Sequence, residues 1–381
     1  MDFSLTEEHK MIRDAANDFA RTELFPTVIE RDEKGIFPEE AIKKMGELGF
    51  LGMMVDPKYG GGGMDTISYV LAMEEFAKYD ASAAVIMSVQ NSLVNWGLET
   101  FGTEEQKQKY LVPLATGKAI GAFALSEPEA GSDATSQRTT AIDKGDYYLL
   151  NGTKNWITSG NTASYYIVIA QTDIEKGHHG INAFIVEKGW EGFEIGPHEN
   201  KMGMRSSDTH SLMFTDVKVP KENRIGDDGF GFKFAMMILS GGRIGISAQA
   251  IGIGQGAIDH ALQYAKERKA FGKPIIKHQA IAFKLADMQT KIDAARLLVH
   301  RSAWLKDQHK NINKASAMAK YYAAETAMEV TTEAVQILGG YGYVKEYHVE
   351  RFMREAKLIQ IYEGTSEIQQ IVISRAMEKG E

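Results

Sequence analysis

The hydrophobic period of this sequence changes twice, and the two changes divide it into thirds. Up to about residue 118 apolar residues recur at helical spacing. From 119 to 228 they fall in short strand-like runs punctuated by Gly, Asn and Asp, and from 229 to 381 long helical stretches return. At 381 residues the chain is also longer than one hydrophobic core usually organises. The expected fold class is therefore α+β in three domains: an N-terminal helical domain over 1–118, a middle β-barrel or sandwich over 119–228, and a C-terminal four-helix bundle over 229–381.

Local signals refine this outline. Thr6 before Glu7 and Glu8 suits a helix start, and Thr103-Glu104-Glu105-Gln106 reads as a capping box whose helix continues through Leu111. Tyr147–Leu150, Asn151-Gly152 and Thr153–Thr158 read as a hairpin, followed by strands at Tyr165–Ala170, Ala183–Val186 and Ser211–Phe214. Long helices are expected over 231–268, 278–308, 315–338 and 365–378. The glycines of Gly60 to Gly63 mark a loop, because no strand leads in and no Lys-Ser/Thr follows as a P-loop requires. Gly252, Gly254 and Gly256 lack the spacing of a dinucleotide fingerprint and read as close helix packing.

Composition removes several function classes. With no cysteine, disulfides, thiolate metal sites and a Cys nucleophile are excluded. A net charge of −8 speaks against nucleic acid and anionic membranes as partners. No run of about 18 consecutive apolar residues is present, so membrane insertion is not expected. The start Met1-Asp2-Phe3-Ser4 shows neither a signal nor a transit pattern, and a bacterial-type cytoplasmic location is the expectation.

Three segments carry more polarity than packing requires. Gly121–Asp133 holds Ser126, Gly131 and Ser132, whose hydroxyls and backbone N–H groups suit a polar ring edge or a phosphate; a plain connecting loop is the alternative. Asn155-Trp156-Ile157-Thr158 places an indole and a hydroxyl two apart on a strand, hence on one face, although a lone Trp is more often core. Gln360–Ile368 sets Glu363 and Gly364 just before a helix capped by Thr365 or Ser366 that should bury Ile368, Ile371 and Val372. A carboxylate beside Ile359, Ile361 and Tyr362 is costly to bury unpaired, and a solvated Glu at a helix start is the alternative.

Taken together these segments resemble the acyl-CoA dehydrogenase family over essentially the whole chain. Leu125–Asp133 resembles its first signature. Gln336–Gly342, Arg354-Glu355-Ala356-Lys357 and Tyr362-Glu363-Gly364-Thr365 resemble its second. The short-chain, butyryl-CoA-like branch is the most similar. The resemblance implies FAD lined by Phe123, Leu125, Ser126, Gly131, Ser132, Trp156, Ile157, Thr158, Thr365 and Glu367. It implies that Arg268, Phe271, Gln279, Gln336, Gly339 and Gly340 hold the FAD of a neighbouring subunit, in a homotetramer built as a dimer of dimers. Ser132, Ser240, Arg243, Tyr362, Gly364 and Arg375 would contact an acyl-CoA substrate. Glu363 would remove the α-proton while the β-hydrogen leaves as hydride to flavin N5, with electrons passing to electron-transfer flavoprotein. Some branches carry a Glu base at the position of Gly242, which has no side chain here. Short-chain relatives carry Asp where this chain has Ser240, which bears on substrate selectivity. An oxidase, a glutaryl-type enzyme and a non-catalytic member are the competing readings.

Overall fold

A computed structural model describes residues 4–380; Met1 to Phe3, on which part of the reading of the chain's start rests, and Glu381 lie outside the described residues. The N-terminal region is helical: α1 (Glu7–Phe19), α2 (Val28–Lys34), α3 (Glu39–Glu47), α4 (Thr66–Ala77), α5 (Ala81–Ser88), α6 (Trp96–Phe101), α7 (Glu104–Gln106) and α8 (Val112–Ala115). Thr6 caps α1 by accepting from His9 N at 3.2 Å. The expected capping box forms at Thr103 and Gln106, and its helix runs on to Leu111 as a π-helical turn. α4 and α5 bury nearly every residue, which places them at the centre of the domain.

The middle region is one open eight-stranded sheet. Its strands are β1 (Gly121–Ala124), β2 (Thr140–Asp143), β3 (Tyr147–Thr158), β4 (Tyr165–Gln171), β5 (Ile181–Glu187), β6 (Phe193–His198), β7 (Thr209–Pro220) and β8 (Arg224–Ile225). The order is β6-β7-β3-β2-β4-β5-β8, with β1 parallel to β4, and among the described residues no ladder joins β6 to β8. Tyr148, Leu150, Tyr166, Val168, Phe184 and Leu212 belong to a core of its own, separate from the larger core of the helical regions.

The hairpin expected at Asn151-Gly152 is absent, and β3 continues through it. The register against β7 shifts between Leu150 and Gly152, so the pair forms a bulge. Gly152 has φ 144°, and a Cβ there would meet Thr139 Oγ1 at 2.5 Å. Asn151 is held across the sheet, its Nδ2 donating to Asp216 Oδ1 at 3.0 Å and its Oδ1 accepting from Asp216 N at 2.9 Å.

The C-terminal region comprises α9 (Gly231–Glu267), α10 (Gln279–Asp307), α11 (Asn313–Leu338), α12 (His348–Ile359) and α13 (Ser366–Glu378). α12 was not among the expected helices, although Val349, Phe352, Ala356 and Ile359 bury one helical face. α9 is long and apolar enough by composition to cross a membrane, but it holds no uninterrupted apolar run of that length and 83% of its most apolar window is buried inside the protein, as in a core helix. Its glycines serve close packing: a Cβ at Gly252 would lie 2.2 Å from Glu74 O, and one at Gly256 2.5 Å from Lys78 O.

One knot of hydrogen bonds around the buried Asp32 joins the three regions. Asp32 on α2 accepts from Arg354 Nη2 at 2.7 Å, while Arg354 Nη1 donates to Met202 O at 2.9 Å. Arg205 Nε donates to the Asp32 carbonyl at 2.9 Å. The second signature's arginine thus fixes α12 against both other regions.

Candidate active site

The turn between α12 and α13 shapes the site. Thr365 caps α13, its Oγ1 accepting from Ile368 N at 3.3 Å, so that hydroxyl is already engaged by the chain. Glu363 (φ 52°) and Gly364 (φ 89°) are both left-handed, a conformation costly for a residue with a Cβ. Their carbonyls are tied down: Lys320 Nζ donates to Gly364 O at 2.6 Å, and Gln369 Nε2 lies 2.9 Å from Gly364 O and 3.3 Å from Glu363 O. α13 buries Ser366, Gln369 and Ala376, not the expected apolar triplet, and Ile371 is 41% exposed. A single chain leaves the Ile371 side of α13 without a covering element.

This turn aims the Glu363 carboxylate at α9, where Gly242 leaves room for it. Oε2 is buried and has no hydrogen-bond partner. Desolvation pushes its pKa up to about 7, against the pull of Lys320 and Arg243. The helix N-terminus, worth about 0.3–1 kcal/mol, does not offset that burial. The Glu363 backbone N–H makes no hydrogen bond among the described residues. Tyr362 Oη donates to Gln249 Oε1, which anchors the turn on α9. Arg243 is 7% exposed and its Nε has no partner. Ser240 Oγ lies 2.9 Å from both Met236 O and Asn313 Oδ1.

A cavity of about 990 Å³ opens beside these residues, lined among others by Ser240, Arg243, Trp96, Lys306 and Arg375. Its size suits a ligand larger than a metabolite fragment. Met87 and Val94 are core residues outside that lining.

A second group of expected site residues gathers on the sheet. Phe123 lies on β1, and Leu125 and Ser126 follow its end. Asn155 N donates to Ser126 O at 2.9 Å, laying this segment against β3. Trp156 is 61% exposed with φ 62°, at a bulge where the β3–β7 register shifts between Lys154 and Ile157. That bulge breaks the simple alternation expected for Trp156 and Thr158; Ile157 points into the core and Thr158 is half-buried. The hydroxyls of Ser126 and Thr158 have no protein partner among the described residues. Gly131 and Ser132 lie exposed on the loop beyond, and Glu367 is exposed on α13.

The remaining expected residues lie elsewhere. Arg268, Gly339 and Gly340 line a separate cavity of about 550 Å³ with Tyr264 and Tyr341. Phe271 (96% exposed, φ 50°), Gln279 and Gln336 are solvent-facing near the same helix ends. Neither Glu363 nor Trp156 belongs to that lining, so the expected cofactor residues form two groups within one chain.

Sequence reasoning missed the groups that hold the site in place. Lys154 Nζ, with its side chain fully buried, reaches Glu127 Oε1 at 2.7 Å, Leu125 O at 2.9 Å and Gln137 Oε1 at 3.0 Å. Glu127 also accepts from Arg138 N at 2.6 Å and Thr139 N at 3.1 Å. Burial pulls Lys154 down to about 8. Burial would raise Glu127, but the Lys154 charge and the backbone donors outweigh it and its pKa falls. The available signal for Lys320 was a lysine on the face shared by Ser316, Ala317, Ala323, Ala324 and Ala327.

Comparison with known proteins agrees along the full length. Residues 6–118, 122–217 and 229–378 match the N-terminal, middle and C-terminal domain descriptions of acyl-CoA dehydrogenase, respectively. A short-chain specific acyl-CoA dehydrogenase of Clostridium acetobutylicum is 50% identical, covering 98% of this chain and 99% of its own. A subunit of the caffeyl-CoA reductase–Etf complex of Acetobacterium woodii is 50% identical, with the same coverage. The structure of butyryl-CoA dehydrogenase from Megasphaera elsdenii superposes with TM-score 0.98 at 52% identity, covering 99% of this chain and all of that one. This chain belongs to the acyl-CoA dehydrogenase family.

Proposed function

We propose that this protein is an FAD-dependent dehydrogenase that converts a short-chain acyl-CoA to its trans-2-enoyl-CoA, with Glu363 as the base and electron-transfer flavoprotein as electron acceptor. The observation that carries the reading is the buried, unpartnered Oε2 of Glu363 with its pKa near 7, a base tuned to neutral pH. The free Glu363 N–H beside it suits the thioester oxygen, where negative charge develops as the α-proton leaves. Ser240, Arg243 and Arg375 on the large cavity, with Ser132, Tyr362 and Gly364, orient the thioester and its CoA.

The residues fit FAD. An exposed indole at Trp156 and the unengaged hydroxyls of Ser126 and Thr158 offer a flat apolar surface and donors for a ring edge, and we assign Phe123, Leu125, Gly131, Ser132, Ile157, Thr365 and Glu367 to the same cofactor. Bound there, FAD supplies the acceptor for the β-hydride. Arg268, Phe271, Gln279, Gln336, Gly339 and Gly340 are all exposed in one chain, which supports their holding the FAD of a neighbour in a homotetramer built as a dimer of dimers. A cytoplasmic location is consistent with the bacterial relatives.

A second reading concerns direction. The likeness to a caffeyl-CoA reductase–Etf subunit at 50% identity favours operation in the reducing sense as well, with protonated Glu363 returning a proton to Cα. A carboxyl near pH 7 is available in both forms.

Anaerobic titration of the purified protein with butyryl-CoA, octanoyl-CoA and isovaleryl-CoA tests the reading. Bleaching of flavin absorbance at the lowest concentration by butyryl-CoA is the expected result. A colourless protein that takes up no FAD, or no bleaching by any thioester, would overturn it.

A further inference from the structure

Lys320 sits on the core face of α11 with 0% of its surface exposed. Lysine is almost never fully buried unless something holds its charge. Its Nζ makes its hydrogen bond to the backbone carbonyl of Gly364, at 2.6 Å, and not to a carboxylate. The carboxylates that face it are Glu363 on the turn, Glu325 on its own helix and Glu367 on α13, and Arg243 on α9 opposes it. Glu325 is already occupied, accepting from Ser366 Oγ at 2.6 Å and Gln360 Nε2 at 2.8 Å. Glu363 accepts nothing at Oε2.

We propose that Lys320 is a positioning residue that holds the left-handed Glu363–Gly364 backbone through the Gly364 carbonyl and sets a buried positive charge beside the Glu363 carboxylate. The proposal rests on Glu363 being the base. Two left-handed residues in succession need an external hold, and the Gly364 carbonyl is where Lys320 and Gln369 supply it. A side chain at Gly364 would be strained at φ 89° and would press on this hold, its Cβ standing 2.6 Å from Gln369 Nε2. The charge acts separately from the hydrogen bond. Glu363 meets two cations, Lys320 from α11 and Arg243 from α9, together with the phenols of Tyr69 from α4 and Tyr362 from its own turn. Removing one cation leaves desolvation less opposed and makes the carboxylate harder to ionise.

Two variants of the holoenzyme separate the two contributions. Lys320→Met removes donor and charge, whereas Lys320→Gln keeps an N–H for the Gly364 carbonyl and loses only the charge. The readouts are FAD content, KM for butyryl-CoA and the pH profile of the anaerobic flavin-reduction rate. Both variants should move the ascending limb of that profile to higher pH by about one unit, as loss of a nearby opposite charge does. Lys320→Met should also lose at least about tenfold in the plateau rate, since a misaligned base costs on that order. Lys320→Gln should stay within a few-fold, with KM little changed in both. An FAD-replete Lys320→Gln with an unshifted profile overturns the proposal, and that arm decides even if Lys320→Met does not fold. A Glu363→Gln control that still bleaches flavin would instead overturn the assignment of the base. If the control is inactive and Lys320→Gln is unshifted, the Lys320 proposal alone fails.

Discussion

A Cβ on Gly242 would stand 2.5 Å from Glu363 Oε2 and 2.8 Å from Leu93 Cδ2. The bare backbone of α9 at this point is therefore what gives the carboxylate delivered by the α12–α13 turn its place. Gly242→Ala should displace that carboxylate and lower the flavin-reduction rate at least about tenfold, with an overpacking cost of about 1–3 kcal/mol. Stopped-flow reduction and thermal melts measure the two effects. Because both positions reach one point in space, Gly242→Glu combined with Glu363→Gly should recover part of the activity that Glu363→Gly loses.

The raised pKa of Glu363 makes a stability prediction independent of turnover. Burial moves it from 4.5 to about 7, so between those values the folded state binds more protons than the unfolded chain. Stability attributable to this group therefore falls as pH rises from about 4.5 through 7. Glu355, also pushed up to about 7 by burial, adds in the same sense. Glu363→Gln, which mimics the protonated form, should raise Tm over the native chain more at pH 8 than at pH 5. An equal change at both values contradicts the buried, unpaired carboxylate.

The Lys154–Glu127 pair predicts a different phenotype. Lys154→Met leaves Glu127 buried without its cation, and breaking such a pair costs about 3–5 kcal/mol. The segment Leu125–Glu127 would lose its side-chain anchor to β3 and keep only the backbone bond from Asn155 N to Ser126 O, so bound FAD should be depleted along with stability. Flavin-to-protein absorbance ratios and denaturant melts check both.

Arg354, braced by Glu350 on its own helix, joins three regions through Met202 and Asp32 in a way a lysine cannot reproduce. Arg354→Lys and Asp32→Asn should each destabilise, and the double variant should be non-additive by about 0.5–3 kcal/mol. Strict additivity in a double-mutant cycle would show that the pair does not couple.

The sequence carried the order of helices and strands because each region keeps its own hydrophobic period over many residues. Thr6, Thr103 and the glycines of α9 were legible for the same reason: capping and close packing are local. Asn151-Gly152 misled because a two-residue signal was read as a turn, whereas cross-strand partners at Thr139 and Asp216 make it a bulge. Trp156 is exposed rather than core, and its geometry differs from the simple alternation because a bulge resets it. Glu363 and its turn stood out by motif. Lys320, Lys154 and the Arg354–Asp32 knot did not, because their partners are distant in sequence. A buried lysine is recognisable as such only once the opposing helices and strands are in place.

The central claim is that Glu363 is the base, and the direct measurement is anaerobic flavin reduction by butyryl-CoA in Glu363→Gln beside the native protein. The account predicts a variant that keeps its FAD and still binds the thioester, yet fails to bleach. Bleaching at a rate near that of the native protein would contradict it.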